Sequence, residues 1–126
     1  MYSETVMEHF RNPRNVGEIA DADVILRVGD PSCGDVLLLF LKFDNEVVAD
    51  VKFRILGCGA AIATSSMASE LARGKPLDEV LKLTDQDIAD ALGGLPEDKM
   101  HCSVLAVTAL HTGIMRYLAA SGKIGQ

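Results

Sequence analysis

The sequence predicts an α+β domain, with a small antiparallel sheet of about three strands, helices packed on one face, and the cysteines gathered at one end. Three observations predict it. Strand-like segments come first and most helical ones follow. A turn at Asp44-Asn45-Glu46 separates two apolar runs as in a hairpin. The 126 residues, 48% of them apolar, suffice for one core without staples, so residues 1–126 are expected to form a single domain. With no Trp and 5% aromatics, that core should be aliphatic.

Ser3 is placed to cap a short helix that turns Val6, Met7 and Phe10 toward the core, and Asn12-Pro13 ends it because the residue before proline avoids helical angles. Val24 to Val28 reads as a first strand, interrupted at Gly29-Asp30-Pro31, where proline withdraws a ladder donor. Cys33 then falls on a loop. Val36 to Phe43 is apolar nearly throughout and fits a central strand. In Val47 to Leu56, Val47, Ala49, Val51, Phe53 and Ile55 alternate with Val48, Asp50, Lys52 and Arg54, which gives a strand with one wet face.

Gly57-Cys58-Gly59 closes that strand and opens a helix along Ala60, Ala63, Thr64, Met67 and Leu71, stopped by Gly74-Lys75-Pro76. Its many small residues let it lie close to the sheet. Pro76 to Leu83 makes a short helix, and Thr84 with Asp87 forms a capping box for Asp85 to Leu92, which Gly93-Gly94 ends. The last helix is expected from near Cys102 to about Leu118, with Val104, Val107, Thr108, His111, Met115 and Leu118 on one stripe.

Composition removes several functions. A net charge of -6, from 12 basic and 18 acidic residues, argues against nucleic acid and suits a basic protein partner. The longest apolar run, Val36 to Leu41, is far short of the roughly 20 residues that span a bilayer, so no membrane association is expected. Three cysteines cannot all pair within one chain, and Glu4 and Glu8 interrupt the first ten residues where a signal peptide needs an apolar run. A reducing, cytoplasmic setting follows as the expectation.

The cysteines carry the chemistry. Cys33-Gly34-Asp35, Gly57-Cys58-Gly59 and Lys99-Met100-His101-Cys102-Ser103 each set a thiol beside backbone or ligands suited to a bulky group. Cys58 and Cys102 fall at predicted helix starts, where unpaired amides favour the thiolate form. Thiolates select zinc, copper(I) or iron-sulfur clusters over magnesium and calcium. Cysteines 25 and 44 positions apart, with no C-x-x-C, differ from a zinc finger or stable ferredoxin. Folding must bring them into one exposed pocket. Three thiolates completed by Asp35, by His101 or by a partner's side chain would hold a cluster loosely enough to assemble and release it. His9 and His111 are read as structural or solvated. The glycine and serine content of residues 58–73 contains no G-x-x-x-x-G-K-[ST], so no phosphate loop is inferred.

The three cysteine motifs, together with Tyr2-Ser3-Glu4 through Asn12-Pro13-Arg14-Asn15-Val16-Gly17 and Gly74-Lys75-Pro76-Leu77-Asp78-Glu79, resemble the iron-sulfur cluster assembly scaffolds of the IscU and NifU type over nearly the whole chain. The resemblance implies that Cys33, Cys58 and Cys102 are cluster ligands and sulfur acceptors. It implies that Asp35 governs how labile the cluster is, that His101 is the alternative fourth ligand, and that Lys99 is a nearby cation. It further implies a transient [2Fe-2S] cluster, zinc in the cluster-free form, a cysteine desulfurase as sulfur donor, and apo-proteins as acceptors. The chain then reads as a scaffold without turnover chemistry of its own. Scaffolds served by an Hsp70-type chaperone carry Leu-Pro-Pro-Val-Lys before the third cysteine. Here Leu95-Pro96-Glu97-Asp98-Lys99 puts two charges where a groove would have to desolvate them, so that partner is not carried over.

Two other functions compete. A zinc-bound persulfide acceptor of the sulfurtransferase type would carry an insertion before the third cysteine and lack the adjacent histidine, and this chain has the histidine and no room for the insertion. In a Cys-His nucleophilic enzyme built on Cys102 the base must face the nucleophile, and the adjacency of His101 counts against that.

Overall fold

A computed structural model describes residues 2–30 and 34–121. Helix α1 (Glu4–Arg11) comes first, followed by strands β1 (Val24–Asp30), β2 (Asp35–Asp44) and β3 (Val47–Leu56). Helices α2 (Gly59–Ala72), α3 (Leu77–Val80), α4 (Asp85–Ala91) and α5 (Met100–Ala120) complete it, with a 3-10 turn at Glu97–Lys99 leading into α5. The expected α+β architecture is the observed one.

The strands form one antiparallel sheet in the order β1-β2-β3, so the most apolar strand is the central one. Asp44 pairs with Val47 across a two-residue turn whose Asn45 and Glu46 have φ of 51° and 62°, the backbone a right-twisted hairpin needs. Leu26 of β1, Leu37, Leu39 and Leu41 of β2, and Val51 and Phe53 of β3 are buried in the core. Helix α5 covers β1 and β2, α2 covers β3, and α1 and α4 pack on these two helices. At Gly113 helix and sheet approach closely, since a Cβ there would lie 2.6 Å from Leu41 Cδ1. The Thr84–Asp87 capping box is present.

Five expectations need correction, each for a physical reason. β1 runs through Gly29 and Asp30, which pair with Val36 and Asp35; only Pro31 lacks an amide hydrogen, so the ladder continues up to it. In β3 the pairing passes from Lys42–Asp50 to Phe43–Val48, leaving Ala49 as a bulge. One extra residue reverses the phase, so Val48 is fully buried and Ala49 exposed. The short helix after Pro76 is a single turn, Leu77–Val80, because the Lys82 and Leu83 amides bond to the carbonyls of Glu79 and Val80, three residues back, and Thr84 already caps α4.

Helix α5 starts at Met100, and it turns a different face inward. Cys102, Ala106, Ala109, Leu110, Gly113 and Ile114 are buried, whereas Val104, Thr108 and Met115 of the expected stripe are exposed. The helix is long and apolar enough to pass for a membrane span by composition. Such a helix has little polar surface to fix its phase, and small residues that allow close approach to the sheet decide it.

In α1 the Ser3 side chain accepts from the Val6 amide as expected. Phe10 is 43% exposed, however, and His9 is the residue that goes in beside Val6. The reason is a partner on α2: His9 Nδ1 lies 2.7 Å from Ser66 Oγ, which also accepts from the Arg14 amide at 2.9 Å. His111 makes a comparable structural contact, with its Nε2 3.0 Å from the Val80 carbonyl.

Burial, helped by the Arg14 guanidinium and partly opposed by Glu70 and Glu8, lowers the His9 pKa below its ordinary value of 6.5. Below about pH 6.5 the unfolded chain takes up a proton that folded His9 resists. The stability of the neutral form is therefore present above that pH and lost as pH falls. Melting temperature should drop between pH 7.5 and 5.5, and His9→Asn should lessen the drop; an equal drop in the variant would contradict this role.

Candidate metal centre

Three elements deliver the site. Asp35 is the first residue of β2 and is 2% exposed. Cys58 is the N-cap of α2, its side chain making no cap hydrogen bond and so remaining available to the site. Cys102 lies in the first turn of α5 and is 1% exposed. Ligand atoms of the three all lie within 4.8 Å of one another.

The distances suit one ion. Cys58 Sγ and Cys102 Sγ are 4.0 Å apart, and Cys102 Sγ is 3.8 Å from Asp35 Oδ2. Two thiolates at about 2.3 Å from a tetrahedral metal stand roughly 3.8 Å apart, and a thiolate and carboxylate oxygen roughly 3.6 Å. A disulfide needs about 2.05 Å, so Cys58 and Cys102 are not joined.

His101 Nε2 is 3.5 Å from Cys102 Sγ. The ring therefore reaches the neighbouring sulfur despite the adjacency, although His101 is not in the mutually close set. The same contact weakens the steric objection to a Cys-His pair. What counts against a nucleophile is the burial of Cys102, which leaves a substrate little access. The site is deeper than the exposed pocket expected from sequence: Asp35 and Cys102 are buried, and Cys58 and His101 are half-buried.

Lys99 precedes α5 and faces the site electrostatically. Its pKa is raised above the usual lysine value, first by Cys58 and then by Tyr2, so it stays a cation beside the sulfur. Cys33 lies outside the described residues.

Tyr2 and Ile55 pack with Cys58 against the small cluster of Ala60, Ala61 and Cys102. Neither was assigned a site role from sequence. Nothing in the spacing of Tyr2 could have shown it, because the contact depends on α1 docking against α2.

Fold and site together define an α+β domain in which two thiols and a carboxylate form a group that could hold a metal ion. The description "NifU-like N terminal domain" matches residues 1–123, and the chain belongs to that family. It is 53% identical over 124 residues to "Iron-sulfur cluster assembly scaffold protein IscU 1" of Archaeoglobus fulgidus, spanning 98% of this chain and 81% of that one. It is 47% identical over 121 residues to "Iron-sulfur cluster assembly enzyme IscU" of Drosophila melanogaster, spanning 93% of this chain and 78% of the relative. The crystal structure of a NifU-like protein (N-terminal) from Brucella abortus shares the fold, with a TM-score of 0.75, 94% of each chain covered and 19% identity.

Proposed function

We propose that this chain is an iron-sulfur cluster assembly scaffold, on which a [2Fe-2S] cluster is built from iron and sulfur and then passed to apo-proteins. The observation that carries this is the 4.0 Å separation of two sulfurs 44 positions apart, with a buried carboxylate 3.8 Å from one of them. Relatives named as assembly scaffolds support it.

Cys58, Cys102 and Asp35 would hold the cargo, with Cys33, two residues before Asp35, as the third thiolate and His101 as the alternative fourth ligand. The sulfur donor is a cysteine desulfurase. Its persulfide gives the outer sulfur to a scaffold thiolate, so that one S–S bond breaks, another forms, and the donor cysteine leaves as thiolate. Two electrons from a thiol reductant then free the sulfur as sulfide. Cys58, the half-buried one, is the accessible acceptor among the described thiols. Lys99 offsets negative charge on the thiolate-bound cargo.

The protein is a carrier without turnover of its own, working in a reducing cytoplasm and able to hold zinc when no cluster is bound. The zinc-bound persulfide acceptor is not favoured, since the relatives are named for assembly and His101 stands beside Cys102.

Anaerobic reconstitution with ferrous iron, cysteine and a desulfurase tests the proposal. Visible absorption should show a [2Fe-2S] cluster on the chain that an apo-ferredoxin then removes. A chain that stays colourless, or that keeps its cluster when offered the acceptor, would contradict it.

A further inference from the structure

Gly57 is exposed, and its φ lies outside the left-handed region, so its backbone would accept any residue. The space around it would not. A Cβ at Gly57 would lie 2.4 Å from Asp35 Oδ1, 2.9 Å from Asp35 Cγ and 3.1 Å from Ala61 Cβ. Ordinary contact begins at 3.4 Å, so the Asp35 oxygen would have to retreat by roughly 1 Å. Asp35 has little room to do so: it is 2% exposed, Ala61 is 1% exposed, and Cys102 Sγ stands 3.8 Å from the other carboxylate oxygen.

We infer that Gly57 is a positioning residue, whose missing side chain makes the space in which the Asp35 carboxylate reaches the point shared with Cys58 and Cys102. The inference rests on the scaffold reading for its consequence and on packing alone for its geometry. Gly57 belongs to the strand-to-helix junction that carries Cys58, so one junction supplies a thiolate and sets a carboxylate on another strand. A methyl group at 57 moves a potential ligand by about the distance that separates a good ligand position from a poor one. The variant should therefore behave toward the cluster as though Asp35 were missing.

Three variants decide it: Gly57→Ala, Asp35→Ala and the double variant. For cluster-free protein, Gly57→Ala should melt about 5 °C or more below the parent, as overpacking does. The double variant should recover most of that loss relative to Gly57→Ala, because the new methyl fills the space left by the carboxylate. A Gly57→Ala chain that fails to fold while the double variant folds supports the inference equally. For reconstituted protein, decay in air should slow in Gly57→Ala to within about twofold of Asp35→Ala, with no further change in the double variant. Parent-like melting and decay in Gly57→Ala would overturn the inference, and so would a double variant no more stable than Gly57→Ala. If Asp35→Ala itself decays at the parent rate, the role given to Asp35 falls, and the melting comparison still decides whether Gly57 makes its space.

Discussion

Replacing Cys102 with Ser is expected to abolish stable cluster loading, cutting retained [2Fe-2S] absorbance at least ~10-fold while the chain stays folded. The reason is its central place. Cys102 Sγ is 4.0 Å from Cys58 Sγ, 3.8 Å from Asp35 Oδ2 and 3.5 Å from His101 Nε2. A serine hydroxyl remains protonated near neutral pH and is a hard donor, so the variant loses the soft ligand that the others surround. Packing should suffer little by comparison, because oxygen and sulfur occupy the same corner of the Ala60 and Ala61 cluster and a buried hydroxyl costs only about 1–3 kcal/mol. Visible absorption after reconstitution reads the first effect and urea unfolding the second. Cys58→Ser should show the same loss of cluster. Full cluster content in either variant would mean that the two sulfurs do not share one cargo.

Asp35→Ala has the second largest expected effect, and its sign is informative. A carboxylate oxygen is a hard ligand and binds iron-sulfide less firmly than a thiolate does, so on the proposed scaffold reading Asp35 would mark the place where the cluster is released. Removing it should slow the decay of the reconstituted cluster in air by ~10-fold. Were Asp35 merely a buried group that stiffens the start of β2, its loss would loosen the site and shorten that lifetime. Decay as fast as the parent's, or faster, would therefore reject its role in release.

Much of this was legible in the sequence, and the misses have definite causes. β3 has the bounds expected from its alternation, and Thr84 and Asp87 form the expected capping box, because both signals are local. The Ala49 bulge was not legible, since it depends on how β3 pairs with β2. The inward face of α5 was misread because that helix is apolar nearly all round, and Gly113 can settle against Leu41 where a larger residue could not. Phe10 was expected inside by its type, whereas His9 takes the place through its contact with Ser66.

Within the site, Cys58 was singled out from its flanking glycines, Cys102 from the histidine before it and its place at a helix start, and Asp35 from its nearness to Cys33, and the fold brings Asp35, Cys58 and Cys102 together. Tyr2 and the close packing of Gly57 on Asp35 were not legible, because each comes from contact between distant parts of the chain. The adjacency of His101 to Cys102 was read as counting against a Cys-His pair, yet the first turn of α5 brings ring and sulfur to 3.5 Å.

On the proposed reading Asp35, Cys58 and Cys102 converge on one metal-binding point. X-ray absorption at the zinc edge, on protein loaded with zinc in the absence of iron, tests it most directly. One zinc per chain is expected, with at least two sulfur neighbours at about 2.3 Å, and it should be lost in both Cys58→Ser and Cys102→Ser. A shell of nitrogen and oxygen alone, or unchanged zinc content in both variants, would contradict it.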